Sequence, residues 1–339
     1  MCCCFLAGPK LSFGKLAPST FLWATAAAVA LIAALPQLAV VRYHTHAVTT
    51  GSGAILVTGA SSGIGRHAAE ALARRGWVVF AGVRSAASAD SIRAVGIEGL
   101  IPLLIDVTSA ASRAAAVAEV ADALRERNVP FVALVNNAGV ARVGLPLEFE
   151  PEATTREVME TNFFGALGTT QAFLPLLRAS KGRIVMISSI SGVVAPQPTW
   201  GSYAASKFAL EAVSDALRRE LAPAGVSVSV IEPAFVKTAI ATTARSRAES
   251  HPAALLAASR AVYPWVRDMA GEVEFGVERG DSPQVTTDVI VHAIESPTPR
   301  TRYVVASIVD GATRAPAAVI VWLEWLLSDR LMDIVINKK

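Results

Sequence analysis

Residues 54–65 read AILVTGASSGIG, and this stretch decides the fold. Its first five residues, Ala54–Thr58, are apolar or β-branched and predict a buried strand, while Gly63–Arg75 predicts a helix. Between them, Gly59, Gly63 and Gly65 let the backbone turn sharply and approach a pyrophosphate, which the N–H groups of the helix N-terminus can bind. Glycines alone could mark a simple turn, but their position between a strand and a helix predicts a dinucleotide site.

The rest of the chain repeats this alternation of strand and helix. The predicted strands are short and mostly apolar: Trp77–Val83, Ile101–Ile105, Phe131–Val135, Arg183–Ser188, Val226–Ile231 and Arg302–Ala306. The predicted helices are Ser109–Arg127, Thr154–Ala179, Ser202–Leu221 and Ser282–Glu295. Apolar strands that alternate with helices indicate a parallel sheet covered on both faces. We therefore expect an α/β fold, a Rossmann-type doubly wound parallel sheet in a single domain, with an N-terminal apolar helix before it.

Composition and charge exclude several classes of protein. The 339 residues are 53% hydrophobic and 17% charged, which excludes a mainly disordered chain, and the net charge of +3 does not indicate a nucleic-acid partner. The three cysteines are consecutive, Cys2–Cys4, so neither a disulfide framework nor a cysteine zinc site is predicted. They form either an unstructured tip or a site of S-acylation beside a membrane. The histidines lack metal-ligand spacing, so no metal site is predicted.

An apolar segment near the N-terminus, Phe21–Val41, carries no formal charge. Its length suits a hydrocarbon core of ~30 Å, so we expect a transmembrane anchor, with a cleaved targeting peptide or a buried or interfacial helix as alternatives. The C-terminal helix could be packed or interfacial. The chain is accordingly divided into a tip (1–20), the anchor (21–41), a linker (42–53), a catalytic domain (54–310, with a variable substrate-binding region at 238–280) and a C-terminal apolar or amphipathic helix (311–339).

A further pattern places a phenol and an ammonium group on one face of a predicted helix. Tyr203 and Lys207 are one helical turn apart. Because a neighbouring cation favours the phenolate, the sequence predicts that Lys207 lowers the pKa of Tyr203 from about 10 toward the working pH. Tyr203 is then a candidate proton donor to a carbonyl or acceptor from an alcohol. Asn136–Gly139 follows a strand and is expected at the ligand crevice.

These patterns, in this order and spacing, resemble the short-chain dehydrogenase/reductase family over roughly residues 54–306. The resemblance implies hydride transfer between a nicotinamide and an alcohol or carbonyl carbon, with Tyr203 as general acid or base. It also implies that Lys207 binds the nicotinamide ribose and assists Tyr203, and that Asn162 holds a water against the lysine. Tyr203, Lys207 and Asn162, the residues of this proton relay, are all present in the sequence.

The resemblance leaves one catalytic position with neighbours that compete for it. Ser189 matches the serine that binds the substrate oxygen, and Ser188 and Ser191 are its near competitors. The chain also departs from the family pattern after Pro233, where Ala234 replaces the usual glycine. We expect this replacement to change the geometry of the loop modestly rather than to abolish cofactor binding.

The resemblance also implies which residues surround the cofactor. An acidic residue at the end of the second strand would bind an adenosine 2′-hydroxyl, but this chain has Arg84 there, whose guanidinium suits a 2′-phosphate. We therefore expect NADP(H) to be preferred, with NAD(H) as the alternative. The expected cofactor-binding residues are Thr58, Gly59, Ser61, Ser62, Gly63, Ile64, Gly65, Arg84, Asp106, Val107, Asn137, Ala138, Gly139, Tyr203, Lys207, Pro233, Val236 and Thr238.

The sequence thus predicts an NAD(P)-dependent oxidoreductase for a hydrophobic alcohol, ketone or aldehyde of steroid, retinoid or lipid type. The strand end Phe80–Arg84 resembles that of retinol and 17β-hydroxysteroid dehydrogenase-like members. The apolar segments predict association with the endoplasmic reticulum or another intracellular membrane, and the resemblance implies a homodimer or homotetramer. The alternative is a catalytically silent NAD(P)-binding scaffold or redox sensor at a membrane, against which the complete proton relay argues.

Overall fold

The computed structural model describes residues 48–194, 196–239, 243, 251–264, 276–310 and 313–326. The strands are β1 (Ala54–Thr58), β2 (Val78–Val83), β3 (Leu100–Leu104), β4 (Phe131–Asn136), β5 (Arg183–Ile187), β6 (Ser227–Pro233), β7 (Arg302–Val305), β8 (Ser307–Asp310) and β9 (Thr313–Pro316). Seven of them form a parallel sheet in the order β3-β2-β1-β4-β5-β6-β7, and β8 and β9 pair as an antiparallel hairpin. The doubly wound α/β fold is therefore confirmed.

Helices connect the strands and cover both faces of the sheet. They are α1 (Gly63–Arg74), α2 (Ala86–Arg93), α3 (Ala110–Arg127), α4 (Glu152–Met159), a π-helical segment (Glu160–Phe164), α5 (Gly165–Ser180), α6 (Gly201–Leu221), α7 (Ala253–Val262), α8 (Pro283–Glu295) and α9 (Ala317–Leu326). Parallel strands need such crossover connections, since a tight turn cannot bring the chain back in the same direction.

Two apolar cores lie on the opposite faces of the sheet. Successive residues of a strand point to opposite faces, so Ile55 packs in the core that contains Trp77, while Leu56 packs in the core that contains Phe173. All four side chains are fully buried. Each contributes about 1.5–3 kcal/mol to the free energy of unfolding relative to an exposed side chain. This burial on both faces explains why the strands are continuously apolar.

The topology fixes where a ligand can bind. Strand β1 lies between β2 and β4, and the chain leaves β1 toward one side of the sheet and later returns to the other side. In open α/β sheets the crevice at the carboxyl ends of strands, where the strand order reverses, is the ligand site. Gly59 follows β1 and Asn137 follows β4, so both lie at this crevice.

Most of the predicted elements are confirmed to within one or two residues. The predicted helix Thr154–Ala179 is wrong in detail, because the structure divides this stretch into α4, the π-helical segment and α5. Helix α2 was not predicted, since only two of its residues, Ala89 and Ile92, are buried and give it little apolar periodicity. The Ser85 hydroxyl, which accepts a hydrogen bond from Ser88 N, caps this helix.

The C-terminal part also differs from the prediction. Strand β7 ends at Val305 because Ala306 has a φ of +68°, which turns the chain into the β8–β9 hairpin. The prediction of a helix for the whole of 311–339 is wrong, since Thr313–Pro316 is strand β9 and the helix begins at Ala317. The hairpin strands are only four residues each, too short to show a clear alternation in the sequence.

Five of the predicted segments lie outside the described residues, wholly or in part. They are the tip at 1–20 with its three cysteines, the candidate anchor at 21–41, the first half of the linker (42–47), much of the variable region at 238–280, and residues 311–312 and 327–339 of the C-terminal segment. Of the helices that the structure does describe, none is both long and apolar enough to cross a membrane.

Candidate active site

The glycine-rich turn after β1 is packed directly against the loop after β4. Gly59 has a φ of +66°, and a Cβ at this position would lie 2.7 Å from the Ala138 Cα. Gly65 opens the first turn of α1, where a Cβ would lie 2.5 Å from the Gly59 carbonyl oxygen and would overlap the Asn137 side chain. Only glycine fits at these two positions, and this lets the glycine turn and the first turn of α1 pack closely against the loop after β4.

Hydrogen bonds lock the two loops together. The Asn137 side-chain amide donates to the carbonyl oxygens of Thr58 (2.9 Å) and Gly59 (3.1 Å). The Thr58 hydroxyl accepts from the backbone N–H groups of Asn137 (3.0 Å) and Ala138 (3.1 Å). Thr58 and Asn137 were both predicted to bind cofactor; in the structure, these polar groups hold the crevice in shape.

The N-terminus of α1 faces a cleft. The Ser62 side chain makes no capping hydrogen bond, so it does not occupy the first N–H groups of α1. A Cβ on Gly63 would lie 3.2 Å from the Thr238 Cβ, which brings the loop after β6 to the glycine turn. A cleft of about 720 Å³ beside this contact is lined by Gly63, Lys237 and Thr238, by the Arg66–Glu70 ion pair and by Glu278, among others. The uncapped N–H groups of α1, with Lys237 nearby, fit the pyrophosphate of a dinucleotide.

The loop after β6 is held in place by two other segments. Phe235 forms an isolated bridge with Ser307, and Val236 forms one with Asp281. Pro233 is the last residue of β6, and Val236 is buried. The predicted residues of this loop therefore lie at the same edge of the sheet as the glycine turn, where the carboxyl ends of the strands are.

The ends of β2 and β3 form the opposite edge of the crevice. Arg84 is exposed, and its charge reaches the carboxylate of Asp106. Asp106 accepts hydrogen bonds from the Thr108 N–H (2.9 Å) and hydroxyl (2.7 Å), which lower the pKa of its carboxyl group. Val107 is buried against Gly165. The structure thus brings Arg84 and Asp106, two of the predicted cofactor-binding residues, close enough for their charges to interact.

Helix α6 presents Tyr203 and Lys207 on one face, as the spacing predicts. Both side chains are buried, and the Lys207 Nζ lies 5.7 Å from the centroid of the Tyr203 ring. The Lys207 ammonium donates a hydrogen bond to the Ile187 carbonyl at the end of β5 (2.9 Å). Burial lowers the pKa of Lys207 to about 8, so the side chain is an ammonium group at neutral pH but loses its proton under mildly alkaline conditions.

The expected effect on the Tyr203 pKa is wrong. Burial raises the pKa of the phenol above its usual value, and the hydrogen bond with Ser189 counteracts only part of this effect. A phenol removed from water resists ionisation because the phenolate loses its hydration. Tyr203 is therefore protonated at neutral pH, which is the form that donates a proton to a carbonyl oxygen.

The structure distinguishes between the three candidate serines. Ser189 hydrogen-bonds with Tyr203 and also accepts from the Ser191 N–H (3.2 Å). The buried Ser188 hydroxyl makes no hydrogen bond of good geometry, and its effect is on the pKa of Glu211, which it lowers. Of the three, Ser189 is the one in contact with the phenol.

Asn162 lies in the π-helical segment and is almost fully buried. Its side chain donates to the Val140 carbonyl (2.9 Å) and Ser206 hydroxyl (3.0 Å) and accepts from the Val140 N–H (2.8 Å). A Cβ on Gly139 would lie 3.3 Å from the Asn162 Oδ1 and 3.8 Å from the Lys207 Nζ, so the two side chains flank this glycine. Wide helical turns of this kind are frequent at functional sites.

A group of charged residues behind Lys207 was missed by sequence reasoning. Glu211 and Glu232 are 6% and 1% exposed, and both contact the Arg302 guanidinium together with Asp215. Burial and, to a smaller extent, the neighbouring Glu211 carboxylate raise the pKa of Glu232 to about 7. The one available signal was a glutamate inside strand β6, which otherwise carries no charged residue.

An apolar cluster surrounds the Tyr203 ring. It is composed of Ala141, Val143 and Val277, with Trp200 and Phe235 packed against it. The Trp200 ring meets the Tyr203 ring edge to face, with centroids 5.5 Å apart. Next to the phenol, the site is therefore apolar on the sides that these residues form.

Comparisons with known proteins agree with this geometry. The family model described as short chain dehydrogenase matches residues 53–249. Mouse retinol dehydrogenase 5 is 34% identical over 262 residues, which cover 74% of this chain and 79% of that protein. Mouse estradiol 17-beta-dehydrogenase 2 is 42% identical over 189 residues, which cover 55% of this chain and 49% of that relative, about half its length.

A solved structure extends the likeness to three dimensions. A short chain dehydrogenase from Burkholderia cenocepacia, in complex with NADP, has 25% sequence identity and a TM-score of 0.61, covering 85% of this chain and 99% of that one. The glycine turn, the tyrosine and lysine of α6 and the order of the strands all lead to the same assignment. This chain belongs to the short-chain dehydrogenase family.

Proposed function

We propose that the protein is an NADP(H)-dependent oxidoreductase that interconverts a hydrophobic alcohol and its ketone or aldehyde. The observation that carries the proposal is the juxtaposition of Tyr203, Ser189 and Lys207 beside a crevice with a glycine cradle. The cradle fits a dinucleotide because side-chain atoms are missing where a pyrophosphate would approach the backbone. A sensor without turnover has no need of a protonated phenol aimed at an apolar site.

Each group of the site has a role in this reaction. NADPH, when bound, supplies the hydride. Tyr203 donates its proton to the carbonyl oxygen, and the Ser189 hydroxyl donates a hydrogen bond to the same oxygen as negative charge develops there. Lys207, as an ammonium group, binds the nicotinamide ribose and stabilises the tyrosinate that remains. Asn162 holds the loop at Val140 beside Lys207 and orders the water through which Tyr203 regains its proton.

The apolar cluster around Tyr203 supports a hydrophobic substrate. Burial of apolar substrate surface against Val143, Val277 and Trp200 contributes roughly 25 cal/mol per Å². Retinol and estradiol, which name two of the relatives, are molecules of this class. We extend the proposal to a membrane-associated enzyme that takes its substrate from the lipid phase, because Val319, Trp322 and Leu326 of α9 are exposed.

Assembly is proposed on similar grounds. Phe164 and Phe208 are 50% and 44% exposed. Phe164 lies two positions after Asn162 in the π-helical segment, and Phe208 directly follows Lys207 in α6. Large apolar side chains exposed on neighbouring elements are typical of a subunit interface. A homodimer or homotetramer that pairs through these helices would cover them.

The substrate class is tested with the full chain in detergent micelles, with NADPH oxidation followed by absorbance. We expect kcat/KM for retinaldehyde, a steroid ketone or a long-chain aldehyde to exceed that for acetone and acetoacetate by about 10²-fold or more, because only the former bury a large apolar surface. A preference for the small polar carbonyls would contradict the proposed substrate class. Tight NADPH binding without turnover of any carbonyl would favour the redox sensor.

Cofactor preference is tested by Arg84→Asp. The substitution replaces a guanidinium suited to a 2′-phosphate by a carboxylate that repels it and accepts from a ribose hydroxyl. We expect the ratio of kcat/KM for NADPH to that for NADH to fall by about 10²-fold, since a charged hydrogen bond contributes about 1.5–3 kcal/mol. Arg93→Asp is the matched control because Arg93 is also exposed, on the far end of α2. An unchanged ratio in Arg84→Asp would exclude the proposed role.

A further inference from the structure

Three carboxylates converge on one guanidinium behind the catalytic lysine. The Arg302 Nη2 lies 2.8 Å from the Glu211 Oε2, its Nη1 lies 3.1 Å from the Asp215 Oδ1, and its Nε lies 3.1 Å from the Glu232 Oε1. Arg218 lies 3.1 Å from Asp215 on the outer side of the group. With three acids and two arginines, the group has more acidic than basic side chains.

The group lies directly behind the active site. Glu211 follows Lys207 by one turn of α6, so the two buried side chains share a helix face. Lys207 donates to Ile187 O at the end of β5, and the next residue, Ser188, lies close enough to Glu211 to lower the pKa of its carboxyl group. Glu232 is the penultimate residue of β6, the strand that pairs with β5. Glu211 thus belongs to the ion-pair group (Glu211, Asp215, Glu232, Arg218 and Arg302) and lies on its Lys207 side, near the ends of β5 and β6.

Of the two buried glutamates, Glu211 is the better paired with the Arg302 guanidinium. The Glu211 Oε2 accepts a hydrogen bond from Arg302 while its Oε1 has none, and the Glu232 Oε1 has an ion-pair contact with Arg302 but no hydrogen bond of good geometry. Burial raises the pKa of both carboxyl groups, but repulsion by Glu211 is a cause of the rise to about 7 for Glu232. Two adjacent carboxylates do not ionise together readily, so the better-paired one ionises first.

Two opposing effects act on the pKa of the buried Lys207. Burial lowers the pKa, the attraction of the Glu211 carboxylate raises it, and the net value is about 8. The other titratable or charged groups that face it are Tyr203 on its own helix and, behind Glu211, Glu232 from β6, Arg302 from β7 and Asp215 from α6. Glu211 is the anion nearest to Lys207 along this helix face.

We propose that Glu211 is a positioning residue that keeps Lys207 in its ammonium form, and that the ion-pair group with Arg302 holds its carboxylate in place. The inference rests on the proposed function, because the ammonium form is what Tyr203 and the nicotinamide ribose require. Arg302 retains Asp215 and Glu232 as partners when Glu211 is neutralised. The change therefore leaves no buried charge without a partner, the situation that would be strongly destabilising.

The test is Glu211→Gln in the full chain in detergent, with two readouts against pH. The first is the dissociation constant of NADPH, measured by the fluorescence of the bound nucleotide; the second is kcat/KM for carbonyl reduction. Without the anion, we expect the alkaline limb of both profiles to move down by about one pH unit. At pH 8.5 this corresponds to a loss of roughly five- to tenfold, whereas at pH 6.5 the variant and the parent should agree within about twofold.

Two further variants separate this role from a structural one. Asp215→Asn removes a carboxylate from the same arginine, one turn farther from Lys207, and should leave both limbs where they are. Glu211→Asp keeps the charge, should restore most of the alkaline limb, and serves as the readout if Glu211→Gln does not fold. Identical pH profiles for Glu211→Gln and the parent, or equal shifts with Asp215→Asn, would overturn the inference. If no carbonyl is reduced, the NADPH readout still decides, so the two proposals can fail separately.

Discussion

Tyr203→Phe is expected to lower kcat for carbonyl reduction by about 10²- to 10⁴-fold, the usual contribution of a positioned general acid. The substitution removes only the hydroxyl, so the ring keeps its contacts with Trp200 and the Lys207 ammonium. The phenol is protonated at neutral pH because burial raises its pKa, and the variant lacks the hydroxyl group that donates this proton. Single-turnover rates with NADPH measure the loss, and the melting temperature checks the fold.

Tyr303→Phe is the matched control for this experiment. It removes a phenol of β7 that hydrogen-bonds with the His292 side chain (2.8 Å) and packs in the core that contains Trp77, away from the catalytic helix. Its kcat should remain within about twofold of the parent, as for substitutions distant from the chemistry. NADPH should bind to Tyr203→Phe almost as tightly as to the parent. Turnover that survives the loss of the Tyr203 hydroxyl would falsify the assignment of the general acid.

Gly65→Ala is expected to weaken NADPH binding by about 10²-fold or more. Alanine is a better helix former than glycine, so the loss of affinity would come from steric overlap of the added methyl group. That methyl group would overlap the Asn137 side chain and lie 2.5 Å from the Gly59 carbonyl oxygen. Hydrogen bonds between the Asn137 amide and the Thr58 and Gly59 carbonyl groups hold both neighbours in place. The glycine turn must move away, and the N–H groups that bind a pyrophosphate move with it. Equilibrium titration with NADPH measures the affinity.

Gly96→Ala is the control for this substitution. Gly96 has a φ of +69° and no atom within 4 Å of an added Cβ, so alanine there strains the backbone without touching the crevice. We expect a loss of stability of about 1 kcal/mol with unchanged NADPH affinity. If Gly65→Ala lowered only the melting temperature and left the affinity intact, the close approach of the loops would not be what shapes the cofactor site.

The features that could be predicted from the sequence are those encoded over a few residues. The glycines of the turn after β1 stand within seven positions of one another, and Tyr203 and Lys207 lie within one helical turn. Strands covered on both faces are apolar throughout, so β1 and β5 were recognisable without any partner. Local patterns of this kind are independent of the tertiary contacts that form later.

The features that were missed depend on residues far apart in the chain or on burial. The pairing of Arg302 with Glu211 joins α6 to β7, and no spacing in the sequence announces it. The pKa of Tyr203 was predicted with the wrong sign, because the cation was visible in the sequence and the loss of hydration was not. Thr58 stays a predicted cofactor-binding residue, but the sequence did not show that its hydroxyl accepts hydrogen bonds from the loop after β4.

The wide turn at Glu160–Phe164 makes the length of this helix a constraint in its own right. A wide turn of this kind contains one residue more than a regular α-helical turn, so removing one residue here would restore a regular helix and move the residues of the segment by one position relative to Val140. The move would take the Asn162 side chain away from the Val140 N–H group, while Phe173 in the following helix would keep its place in the core. The extra residue is thus what brings Asn162 to Val140, and a deletion here should cost the contact without unfolding the helix.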